Sequence, residues 1–133
     1  MKFKEFFEKA FYILVDFYPF MYRPQMNIFK HKFEIHKTDA DVWPSYPHMH
    51  SLEDKLVLDI YTGEVYRKPT RQCINEASEE DMIKLWNDRK FLNVVLEMRK
   101  TKPINVKTLS PIPIEWLNEE SIEKVKEYDA NYK

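Results

Sequence analysis

One glycine in 133 residues, Gly63, stands between two runs of alternating side chains, and no other feature restricts the possible folds as much. Before it, Leu56, Leu58 and Ile60 alternate with Val57, Asp59 and Tyr61, the period of a strand that buries one face. Glycine adopts positive φ without steric cost, so its single use is expected where a tight reversal needs that conformation. Thr62-Gly63 therefore predicts a hairpin, with residues 64–66 returning. A bulge at Gly63 would shift the return by one residue and decide whether Val65 or Tyr66 joins the buried face; the sequence leaves both registers open.

Residues 46–50 read as a preceding strand, joined through Ser51, Leu52, Glu53 and Asp54, a polar connection of ordinary hairpin length. That register sets His50 against Lys55, His48 against Val57 and Tyr46 against Asp59. Successive strand side chains point to opposite faces. Met49, Leu56, Leu58 and Ile60 then share a core face, while Tyr46, His48, His50, Asp59 and Tyr61 share a second face, the candidate site.

Elsewhere the periods change. Phe3, Phe6, Phe7, Ala10, Phe11, Leu14 and Val15 recur at helical spacing, and Pro19 ends a helix at or before Tyr18. Its aromatic stripe suits closure over the sheet or docking of another protein. Residues 18–26, with Pro19 and Pro24, read as an extended connection. Residues 28–36 read as one strand, with Phe29, His31, Phe33 and Ile35 on the apolar side and Lys30, Lys32, Glu34 and His36 on the polar side. Residues 67–72 are basic and loop-like, and Cys73 is expected to be buried or inert. Ser78 followed by Glu79, Glu80 and Asp81 is a helix start. Helical spacing runs to about Arg99, although Leu92, Val94, Leu96 and Met98 also alternate as a strand would. Residues 104–109 suggest a short edge strand, and Asn118 caps a last helix to about Tyr128.

A chain of this length with 44% hydrophobic and 15% aromatic residues suits one domain, residues 1–133, with a substantial core. A formal net charge of −1 supplies no general attraction to nucleic acid or anionic membrane. Cys73 is the only cysteine, which excludes an intramolecular disulfide and suits a reducing compartment. Glu5 and Glu8 occupy the region where a secretory signal carries positive charge, and the apolar run at residues 11–15 is far short of the ~20 residues of a membrane span. A cytoplasmic protein without a membrane partner is expected.

His48 and His50, two apart on a strand, point the same way, as metal ligands or proton-transfer partners must. Asp59 and His36 would complete a three- or four-ligand set in the inferred register, one that suits zinc and leaves iron or manganese open. Alternatively, His36, His48 and His50 would serve a small ribonuclease, one imidazole as base and another as acid, although the charge balance offers RNA little attraction. Neither a cofactor nor catalysis is the favoured expectation. Trp43, Tyr46 and Tyr61, with Tyr66 nearby, offer rigid anchors for another protein. The binding set is therefore Trp43, Tyr46, His48, His50, Asp59 and Tyr61.

Pro47-His48-Met49-His50, then Asp59-Ile60-Tyr61-Thr62-Gly63-Glu64 and a Trp-containing helix, resembles a small bacterial family of unknown function with a P-H-x-H strand and a D-x-x-T-G-E hairpin. The resemblance covers about residues 47 to 100 and implies association with toxin–antitoxin loci, hence host control or phage defence. The layout is also similar to the ubiquitin-conjugating fold, whose cysteine would fall near Val57; that likeness implies a non-catalytic adaptor. The expected architecture is α+β, an antiparallel meander of about four strands with an N-terminal amphipathic helix and C-terminal helices.

Overall fold

The computed structural model describes residues 25–28, 31–36, 42–51, 55–129 and 132. Among them, β1 (Gln25–Ile28), β2 (His31–Ile35), β3 (Met49–Ser51), β4 (Leu56–Leu58), β5 (Glu64–Arg67) and β6 (Gln72–Glu76) form one antiparallel sheet. Its strands lie in chain order β1-β2-β3-β4-β5-β6. Helices α1 (Glu79–Trp86), α2 (Arg89–Lys100) and α3 (Glu119–Tyr128) follow, with a 3-10 turn at Ile114–Trp116. The class is α+β, with more strands than expected. No helix among the described residues is long and apolar enough to cross a membrane. The expected N-terminal helix at residues 3–18 lies outside the described residues.

Two rows of side chains organise the sheet. Ile35 faces Met49, Met49 faces Leu58 and Leu58 faces Val65, and all four are 0–1% exposed. They belong to one apolar cluster with Met82, Leu85 and Trp86 of α1, Phe91, Leu92, Val95 and Met98 of α2, and Val125 of α3. Burial of each large side chain contributes about 1.5–3 kcal/mol. On the opposite face Glu34 meets His50, His50 meets Val57, Val57 meets Tyr66 and Tyr66 meets Cys73. The bulge between Val65 and Tyr66 of β5, where it pairs with β6, precedes the last of these contacts.

The β3–β4 register differs from the expected one. His50 pairs with Val57 and Met49 with Leu58, a slip of two residues. An even slip leaves every side chain on its face, so Met49, Leu56 and Leu58 remain together. The presumed strand at residues 28–36 is two strands, since Ile28 already pairs with His31. Alternation in the sequence runs unbroken from residue 28 to residue 36 and therefore does not separate the two strands. β6, expected as a loop, exposes all five residues and lacks an amphipathic pattern; pairing with β5 makes it a strand. No strand forms at residues 104–109, where Val106 N–H instead closes a turn on the Pro103 carbonyl.

Gly63 occupies the expected reversal at φ +84, where its N–H donates to the Asp59 carbonyl at 2.8 Å and its carbonyl accepts from Ala77 N–H at 2.7 Å. An added Cβ would meet Met82 Cγ at 3.4 Å, so the left-handed backbone is the main demand for glycine. The helical segment expected to run unbroken to Arg99 divides at Asn87 and Asp88. Asp88 caps the second half by accepting from Phe91 N–H at 3.0 Å. Residues 91–98 are helical, and Ser78 and Asn118 cap α1 and α3.

Candidate functional site

β3 carries His50 and, just before it, His48 onto the face away from the helices. Both are buried, at 7% and 3% exposure. His48 Nδ1 lies 2.7 Å from the Ser45 carbonyl, which can only accept, so this nitrogen carries a hydrogen. His48 Nε2, 3.1 Å from His50 Nε2, is then the acceptor and His50 the donor when both rings are neutral. The rings meet edge to face with centroids 4.7 Å apart.

His36 joins them from the end of β2, its ring centroid 5.6 Å from that of His50. Its Nε2 lies 3.5 Å from Glu34 Oε2, and both side chains are largely buried. Three of the four sequence histidines thus share one neighbourhood, while the alternation of β2 sends His31 to the other face. Glu34 was absent from the expected site, although it alternates with His36 on the polar side of the strand pattern. Only the β2–β3 register brings it opposite His50.

Asp59 does different work. Its Oδ1 accepts from Ser45 Oγ at 2.9 Å and from Tyr61 N–H at 3.0 Å, tying the segment before β3 to the turn after β4. Tyr46 and Tyr61 belong to the apolar cluster rather than to the histidine face. β4 ends at Leu58, so strand alternation no longer governs Tyr61. The Tyr61 hydroxyl donates to the Tyr46 carbonyl at 2.9 Å and accepts from Arg99 Nη1 at 3.0 Å. Burial pushes its phenol well above the ordinary tyrosine range, a rise that Arg99 partly offsets.

Trp43 lies at the surface. It packs edge-on against Tyr66 with centroids 5.1 Å apart, and the Arg71 guanidinium sits 4.8 Å from its ring centroid. Trp43 and Tyr66 are half-buried and Arg71 is exposed. Desolvation, reinforced by Glu64, pushes the Tyr66 phenol up to about 12. Arg71 was not foreseen as part of this cluster: it lies in the basic stretch read as a loop, and the β5–β6 turn returns it to Trp43. Cys73, expected to be buried or inert, is exposed on β6, its Sγ 3.5 Å from the Asn75 carbonyl.

Among the described residues, no three His, Cys, Asp or Glu side chains are placed to hold a metal ion. No family model matches the chain, and neither the curated proteins nor the solved structures provide a match.

Proposed function

We propose that the chain acts by binding another protein, as an adaptor, regulator or inhibitor, through the surface cluster of Trp43, Tyr66 and Arg71. The carrying observation is the direct contact of these three side chains at the surface. Trp, Tyr and Arg are the residue types that most often dominate binding energy at protein interfaces. Two rings held by each other and by a guanidinium lose little further freedom on docking. Tyr46, His48, His50, Asp59 and Tyr61, included in the expected binding surface, are all buried and are left out of the proposed contact surface. The toxin–antitoxin or phage-defence setting rests on the resemblance of residues 47–100 to the P-H-x-H family.

The test is co-purification with the products of the flanking genes. Arg71→Glu and Trp43→Ala are expected to weaken capture by at least about thirtyfold, the effect of losing a ~2 kcal/mol anchor. Far-UV dichroism and melting of Arg71→Glu should match the wild type, and chelators should leave capture unchanged. Undiminished capture by both variants would overturn the proposal.

A further inference from the structure

The Trp43 surface adjoins one end of the sheet, where two reversals of the chain meet. Lys55 stands just before β4, and its carbonyl accepts from Lys68 N–H at 2.9 Å. Arg71 N–H donates to the Arg67 carbonyl at 2.8 Å and closes the β5–β6 turn. Lys55, Arg67, Lys68 and Arg71 therefore share this end, and all four are exposed. A whole hairpin separates Lys55 from the other three in the sequence; the pairing of Leu56 with Arg67 joins them. We infer that this end recognises an acidic segment of a partner protein, an inference that rests on the protein-binding reading above. Its carboxylates pair with the four cations while an apolar side chain packs at Trp43 and Tyr66.

Charge carries the argument first. Among the described residues no carboxylate forms an ion pair with any of these four side chains. A local positive excess thus stands on a chain whose formal net charge is −1. Such an excess attracts an oppositely charged partner at a distance and orients its approach. Glu64, beside Tyr66, and Glu76, opposite Glu64 on β6, confine the positive patch to the turn end. Backbone conformation adds a second observation. Among the described residues, the non-glycine positions at positive φ are Lys55 at 53° and Arg71 at 59°, and both belong to this end. Glycine or asparagine fits that conformation at lower cost, so a cationic side chain at each is kept against backbone strain, which favours a role for the charge.

The aromatic part favours protein over nucleic acid. Arg71 lies over the Trp43 ring, 4.8 Å from its centroid, and Tyr66 packs against the same ring at 5.1 Å. Single strands bind where successive bases find open aromatic faces, and this indole is already engaged by both neighbours. What it offers is a half-buried rim beside four cations. Carboxylates match the planar forks of Arg67 and Arg71 and the point charges of Lys55 and Lys68.

The test uses the full chain and three fluorescently labelled probes: a twelve-residue peptide of Asp and Glu around a central Phe, its Asn and Gln counterpart, and an oligothymidylate of twelve nucleotides. Anisotropy should show the acidic peptide bound at least about tenfold more tightly than either other probe. That preference should collapse as NaCl rises from about 50 to about 300 mM. Lys55→Gln combined with Lys68→Gln should weaken the acidic peptide about tenfold with an unchanged melting temperature. No preference for the acidic peptide over its amide counterpart, or full affinity in the double variant, would overturn the inference; so would tighter binding of the oligonucleotide, which would assign this end to single-stranded nucleic acid. Capture of the flanking-gene partner separates the two readings. Capture lost in Trp43→Ala but indifferent to salt and to the double lysine variant would keep the protein-binding role and overturn the acidic one. Capture lost with salt and in the lysine variant but intact in Trp43→Ala and Arg71→Glu would keep the acidic segment and overturn the aromatic anchor.

Discussion

The Arg99 guanidinium, 2% exposed on α2, donates to the Tyr61 hydroxyl and to the Ser110 carbonyl and pairs with Asp129 just past α3. Burial alone would lower its pKa, but the bond to Asp129 and the adjacent Tyr61 raise it overall, so the cation persists inside the fold. Removing one partner of such a pair leaves an uncompensated buried charge. Asp129→Ala should therefore lower stability by about 3–5 kcal/mol in urea denaturation, and Arg99→Met combined with Asp129→Leu should recover most of that loss. Tyr61 and Tyr66 predict an alkaline limit. Both phenols are raised in the folded chain, whereas an unfolded tyrosine ionises near pH ~10. Above that pH the unfolded state sheds protons first, so stability falls as pH rises. Denaturant midpoints should drop between about pH 9 and about pH 11, and Tyr61→Phe, less stable at neutral pH, should show a shallower fall.

At the scale of elements, the strands and helices are set by different means. The helix starts are local: Ser78, Asp88 and Asn118 each accept from the backbone N–H three residues on. Asp88→Ala should cost about 1 kcal/mol in thermal melting. The outer strands depend on their neighbours instead. β6 exposes all five residues, including Ile74, and is held chiefly by its ladder to β5. The same hairpin turns Arg71 back onto Trp43, so the proposed binding surface is a product of the β5–β6 pairing rather than of either strand alone.

Among the described residues, the helices cover one side of the sheet while His36, His48 and His50 lie on the other. The central strands are buried on both sides, as the uniformly buried residues of β3 and β4 show. Native-state hydrogen exchange should find its slowest amides at Met49, Leu58 and Val65 and its fastest among β6 and residues 101–111. Equal protection throughout would contradict this division.

What the sequence determined by itself was periodic or local. Alternation at residues 56–60 identified a strand, Gly63 located its reversal, and Ser78 and Asn118 marked helix starts. The separation of Met49, Leu56 and Leu58 from His48 and His50 survived a register slip because the slip was even. Only tertiary structure decided which strand stands beside which. It paired Glu34 with His50, made a strand of the unpatterned residues 72–76, drew Tyr46 and Tyr61 into the core, and brought Asp129 to Arg99. Periodicity is written within a segment, whereas register and partner choice follow from contacts between residues far apart in the chain, where one step of alignment changes every neighbour.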